Sequence, residues 1–358
     1  MFPLEEVINL LCVLCLLVGL RLTNRLDVLV FWVFLGRVAM VFLTNDVLFP
    51  VSYMPDQLGY VYCADMRRGG PDTWCGELIG KNTLNASWFF ALFPIPFIVS
   101  VRSIALVNAV LIVWLYIYLS GKGFFSSRAR LVYLLYPSFV LYGAVAVRDI
   151  AIAICMFMAI YYLLEKKSSL LGVAWVVPLF FIKQQNALMT LIPFALAMIA
   201  GKSRIRMIVA VVLGFVFAFV MLLGAGYLAE LNDYRNAFYA EDGGIGKIPP
   251  LSSSPPVLLF ELLIGAFSIL LMPLPWQAGN AFQLIQSLEN VLMMWLVVQC
   301  WRRRAKLGME NAFMNLKIFF VSSMAIYGAV ISNYGTAARY RFAFILLFIL
   351  FAEHLTQP

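Results

Sequence analysis

The sequence is short of polar groups. Only 12% of its 358 residues are charged and it has one histidine and six cysteines, whereas an ordinary soluble domain is about 25% charged. With 63% of residues hydrophobic, the chain cannot assemble a water-facing skin over a soluble core. A soluble enzyme, a DNA-binding protein and a disordered chain are therefore excluded. The lone histidine, His354, excludes a histidine metal cluster and reads as a plain residue near the C-terminus. No internal repeat of the kind seen in inverted-repeat transporters is visible. The opening Met-Phe-Pro-Leu-Glu-Glu is acidic where a signal peptide is basic, and no small-residue cleavage site follows. The first apolar run is expected to stay as a helix.

What the sequence has is apolar runs punctuated by basic clusters. The net charge of +8 is not gathered into one patch, so no nucleic-acid partner is expected. Arg21 and Arg25, then Lys122, Arg128 and Arg130, then Lys166 and Lys167, then Lys202, Arg204 and Arg206, then Arg302, Arg303, Arg304 and Lys306 fall between runs, as cytoplasmic loops do. Placing all of them inside puts the N-terminus outside. It yields an all-α polytopic membrane protein of about eleven transmembrane helices, at 6–20, 28–44, 97–119, 131–147, 150–164, 170–182, 187–200, 207–228, 284–301, 314–332 and 342–355. The whole of 1–358 reads as a single integral membrane domain. Two further apolar runs, Trp88 to Phe97, which contains Pro94 and Pro96, and Val257 to Met272, which Pro273 and Pro275 follow, are expected as interfacial or re-entrant helices on the outer face. A first outer loop then covers 45–96, and a second covers 229–283, whose Gly243-Gly244, Pro249-Pro250 and Ser252 to Pro256 mark it as mobile.

The candidates for chemistry lie on the outer side. Arg102, Arg148, Lys183, Arg339 and Arg341 each sit near an expected span end at that face. Cations there run against the usual charge bias. Guanidinium forks bind phosphate oxygens in pairs, so a phosphate-bearing lipid accounts for them, and snorkelling to headgroups is the plainer alternative. The first outer loop mixes Asp46, Asp56, Asp65 and Asp72 with Tyr53, Tyr60, Tyr62, Trp74 and Trp88. Carboxylates beside aromatic rings suit a sugar, and a placed carboxylate can take the proton of a hydroxyl; solvated loop acids are the alternative. Arg37, Glu261, Glu289 and Lys317 fall at membrane depth, where charges are costly. They read as an internal ion pair, such as Arg37 with a carboxylate, or as the lining of a path. Cys63 and Cys75 share the first outer loop and read as a disulfide in an oxidising compartment, with free thiols or a metal site as alternatives. Cys12, Cys15, Cys155 and Cys300 sit in apolar runs as packing residues.

Several short segments carry a family likeness. Tyr136-Pro137-Ser138-Phe139-Val140-Leu141-Tyr142 leading to Val147-Arg148-Asp149, Pro273-Leu274-Pro275-Trp276-Gln277 ahead of Leu288-Glu289, and Ala338-Arg339-Tyr340-Arg341-Phe342 resemble stretches of bacterial membrane proteins encoded in polysaccharide loci. The first outer loop with Asp56-Gln57-Leu58-Gly59-Tyr60 is similar to that of the C-type glycosyltransferase superfamily, whose architecture O-antigen polymerases resemble. The resemblance implies a GT-C-like fold in the bacterial inner membrane with a periplasmic active site. It implies Asp56 as base, and Arg148, Arg339 and Arg341 as binders of the lipid pyrophosphate. Asp149 and Tyr340 share the arginine motifs, and Tyr60 the aspartate motif. Lys183 and Arg102 complete the expected binding set. The chain stops at Pro358 without the soluble C-terminal domain of many single-sugar transferases, which favours the polymerase type. O-antigen ligases rely on an outer-face histidine that is absent here.

The expected activity is polymerisation of polyprenyl-pyrophosphate-linked oligosaccharide repeat units at the outer face, needing no cofactor and no metal because guanidinium groups stabilise the leaving phosphate. The expected partners are that lipid-linked oligosaccharide, membrane lipids and a chain-length regulator protein. A polyprenyl-phosphate-sugar-dependent transferase and a lipid-linked oligosaccharide transporter are the competing readings.

Overall fold

The computed structural model describes residues 3–45, 47–51, 54, 56–70, 75, 81–165, 168–200, 209, 219, 223, 227–241, 248–331 and 333–357. The expected span 207–228, the basic clusters at 166–167 and 202–206, Asp46, Asp72, Tyr53, Trp74 and Gly243-Gly244 lie wholly or mainly outside these residues. Among the described residues the protein is all-helical, the only strand-like pairing being a single bridge between Asn45 and Phe49. Four helices are long and apolar enough to cross a bilayer, namely Val101–Gly121, Ala281–Trp301, Glu310–Val330 and Tyr334–Thr356. Shorter apolar helices accompany them at Val28–Thr44, Asp149–Leu164, Leu170–Ile182 and Pro255–Leu271. This is a helical membrane protein. Its contacts divide it into two compact units, one of Met1–Tyr161 with Leu170–Ala187 and the other of Tyr162–Ser169 with Leu188–Pro358.

The first unit begins with α1 (Leu4–Leu22) and α2 (Val28–Thr44), followed by α3 (Asp56–Arg67), α4 (Lys81–Leu92) and α5 (Val101–Gly121). Polar caps start these helices where the apolar runs begin. Asp27 accepts from Val30 N at 2.9 Å to open α2, and Ser100 accepts from Ser103 N to open α5. Gly69, at φ +92°, turns the chain out of α3 in the left-handed conformation that glycine tolerates best. Cys63 of α3 is disulfide-bonded to Cys75.

The expected span 131–147 is not one helix. It is split into α6 (Ser127–Leu135) and α7 (Pro137–Gly143) and then runs irregularly to α8 (Asp149–Leu164). Pro137 has no N–H to give to Tyr133 O and holds Tyr136 out of the α conformation. Arg37 supplies the missing donor: its Nη2 reaches Tyr133 O at 2.8 Å and Leu134 O at 2.9 Å, with its carbon Cζ 4.8 Å over the Phe139 ring. The membrane-depth arginine is thus held by backbone carbonyls and a ring, not by the carboxylate expected from sequence.

The irregular stretch 144–148 is buried, and backbone in that state must find partners inside the protein. Thr44 and Asn45 donate to Ala144 O at 3.2 and 2.8 Å. Asn108 of α5 donates to Val145 O and Val147 O at 2.9 and 2.8 Å. Ala146 N donates to Gln57 Oε1 at 2.9 Å. Side chains from three helices therefore fix the strap that ends at Arg148. The unit closes with α9 (Ser169–Ile182) and the start of α10 (Gln184–Ala200).

The second unit contains α11 (Tyr227–Glu241), α12 (Pro255–Leu271), α13 (Ala281–Trp301), α14 (Glu310–Val330) and α15 (Tyr334–Thr356). The expected second outer loop therefore holds a helix, α11, where no regular element was foreseen. Helix α12, expected as re-entrant or interfacial, packs along α14 at a pair of glycines. A side chain on Gly265 would strike the Gly328 backbone, and one on Gly328 would strike that of Gly265. Small residues bring helix backbones together in membranes, where packing and not water exclusion holds helices side by side. Rings hold α14 to α15, with Phe320 and Phe348 at 4.7 Å and Phe319 and Phe344 at 5.6 Å between centroids. Lys317 lies over the rings of Phe313 and Trp301, at 4.4 and 4.9 Å. At the far end of α15, Arg303 pairs with Glu353 at 2.9 Å and His354 lies 3.2 Å from Glu165.

Candidate functional site

Arg148 is the residue that stands out. It immediately precedes α8 and is 9% exposed. Its Nε and Nη1 are buried and make no hydrogen bond. Buried donors without partners are costly and rare, and a buried guanidinium more so. Arg37 also leaves two nitrogens unbonded, but its Nη2 is anchored as described above. Arg148 has no such anchor. The N-terminus of α8 adds the positive end of a helix dipole at the same place. The pair is suited to an anion. Asp149, the first residue of α8, and Lys183, at the α9–α10 junction, are also buried, and each has an interaction of its own.

The other expected binders are in different circumstances. Arg102 pairs with Glu6 at 3.0 Å, tying α5 to α1. Tyr60 is fully buried against Phe90 at 5.7 Å, so its ring belongs to the α3–α4 core and is no platform for a sugar. Asp56 is exposed as the first residue of α3, where a carboxylate also suits the helix dipole. Arg339 and Tyr340 are half-buried on α15, and Tyr340 stacks on Tyr327 at 5.2 Å.

Arg341 is a correction. Only 1% exposed, it donates to Ile269 O and Met272 O at 2.7 Å each and to Asn290 Oδ1. Asn290 in turn donates to Leu271 O at 3.1 Å and Pro273 O at 3.3 Å. Together they satisfy the carbonyls at the end of α12, as cations and amides do at helix C-termini. Its fork is occupied by the fold and is not open to a pyrophosphate.

Sequence reasoning missed three further arginines. Arg67 lies 4.4 Å over Trp88 and donates to Ser87 Oγ. Arg68 donates to Ala91 O at 2.8 Å, Ile95 O at 2.6 Å and Phe93 O, closing the end of α4. Burial holds both guanidinium groups below their usual pKa, with Asp65 opposing the shift at Arg68. The third, Arg235 of α11, lines a cavity of about 360 Å³ in the second unit with Glu261, Asn333 and Tyr334. Arg235 was hidden in a polar stretch that reads as loop, and no motif marks it. Among the described residues no group of three or more His, Cys, Asp or Glu side chains is placed to hold a metal.

Comparison of the chain with protein-family models, with curated proteins and with solved structures gives no match.

Proposed function

We propose that the chain is an inner-membrane glycosyltransferase that polymerises polyprenyl-pyrophosphate-linked oligosaccharide repeat units at the outer face, with about eleven spans and a GT-C-like architecture. The observation that carries the reading is Arg148, a buried cation with unused donors at the mouth of α8. A pyrophosphate supplies the oxygens those donors lack. In the reaction, the terminal hydroxyl of the incoming unit attacks the anomeric carbon next to the pyrophosphate on the growing chain. The bond from that carbon to the phosphate oxygen breaks, and the pyrophosphate leaves with the electron pair. Arg148 stabilises the charge that builds on it. The hydroxyl proton passes to a carboxylate, for which Asp56 is the exposed candidate.

The test is deletion of the gene followed by electrophoresis of the surface glycan. Collapse of the ladder to a single repeat unit is the expected result, restored by the wild-type gene and not by the Arg148→Ala variant. An unchanged ladder contradicts the reading. Asp56→Asn should lower polymerisation about 10²–10⁴-fold if the base is correctly placed, and normal polymer from that variant removes Asp56 from the mechanism.

A further inference from the structure

The second unit holds a cavity whose lining does not include Arg148. Its volume, about 360 Å³, falls at the lower end of small-molecule sites. Gly265 and Gly328, where the backbones of α12 and α14 meet, are part of its wall. Two groups of opposite charge line it, Glu261 of α12 and Arg235 of α11. Both are held in place and neither is used up. Glu261 accepts from Ser252 N through Oε2 at 2.8 Å, which leaves Oε1 open. Arg235 donates from Nη1 to Asn232 Oδ1 at 3.2 Å and Pro249 O at 3.3 Å, which leaves Nη2 and Nε. Burial lowers the Arg235 pKa and the nearby Glu261 opposes that shift.

The chemistry of the lining selects among ligands. An anion gains nothing from a lining whose charges sum to zero, and it meets the carboxylate. A hydrocarbon tail would bury both charges against carbon, which is costly. A neutral molecule bearing many hydroxyls gives donors to Glu261 and acceptors to Arg235. Its C–H faces lie against Tyr334, Pro249 and Pro250, which also line the cavity. Those are the properties of a saccharide.

We propose that this cavity is a saccharide-binding subsite, with Glu261 and Arg235 as its hydrogen-bonding pair. It rests on the glycan reading above only for the view that this sugar is part of the substrate. The experiment uses the purified full chain in lipid nanodiscs. Saturation-transfer NMR is recorded with glucose, galactose, N-acetylglucosamine and lactose as separate probes, and inorganic pyrophosphate binding is measured by calorimetry. At least one sugar should give transfer signals. Its affinity should fall about tenfold in Glu261→Gln and in Arg235→Gln. Binding should vanish in Ser268→Leu, which fills the cavity wall without touching either charge. Pyrophosphate affinity should stay unchanged in all three variants. Absence of signal from all four sugars overturns the proposal, as does a signal that survives unchanged in every variant that keeps its thermal unfolding midpoint. Sugar binding that depends on Glu261 alongside an unaltered glycan ladder in the deletion strain supports the subsite and refutes polymerisation. A collapsed ladder without sugar binding does the reverse.

Discussion

Arg148 in the first unit and Arg341 in the second are both buried, both border a helix end and both belong to short motifs that read alike in sequence. Their surroundings differ completely. Arg341 gives its donors to two carbonyls and Asn290 at the end of α12, whereas Arg148 holds two buried nitrogens with no hydrogen bond at the start of α8. A guanidinium at a helix C-terminus finds carbonyl oxygens waiting for it. Arg148, at an N-terminus, meets no helix carbonyl and keeps two donors unbonded. Which end of a helix each arginine meets sets whether its donors find carbonyl acceptors within the fold.

The comparison breaks most easily at Arg341. Replacing it with Met keeps the volume but strands the carbonyls of Ile269 and Met272. The expected loss is about 3 kcal/mol or more, read as a fall in unfolding temperature and in membrane abundance. Arg341→Lys should recover only part of it, since a single ammonium cannot reach three acceptors in fork geometry. Stable protein from Arg341→Met would mean that this arginine is as free as Arg148. Gly328→Leu should be nearly as damaging, because the side chain meets the Gly265 backbone. Overpacking of this kind costs about 1–3 kcal/mol, and Gly328→Ala should cost less than Leu. The bridge between Cys63 and Cys75 closes a separation of 12 residues. Its removal as Cys63→Ser should lower stability by about 3 kcal/mol at most, with the effect reduced to nothing when the wild type is measured under reducing conditions.

Helix positions were readable where caps and apolar runs coincide. The expected 28–44 is α2 residue for residue because Asp27 caps its start, and 150–164 and 170–182 fall within a residue of α8 and α9. The span 131–147 failed because its apolar composition outweighed Pro137, whose missing N–H breaks the helix. Helix α11 failed for the opposite reason, since it is polar and flanked by Gly and Pro and so reads as loop. At the site, the sequence marked Arg148 and Arg341 alike because both lie at apolar run ends in arginine motifs. Their difference depends on carbonyls from residues 269 and 272, about seventy positions away, and no local pattern carries that information. Tyr60 was misread as a sugar platform because its alternation with acids resembles a surface, while Phe90 covers it in the fold.

The central claim is that Arg148 holds a phosphate group. The measurement that bears on it most directly is calorimetric binding of farnesyl pyrophosphate, a short polyprenyl pyrophosphate, to the wild type and to Arg148→Ala, together with the unfolding temperature of each. Removing a buried guanidinium that has no partner relieves a cost, so Arg148→Ala should unfold at the same temperature or higher. It should bind the pyrophosphate at least tenfold more weakly, a loss of about 1.4 kcal/mol or more, and Arg148→Lys should fall between. Equal affinity in Arg148→Ala and wild type, or a variant that unfolds well below the wild type as Arg341→Met is expected to, would contradict the account.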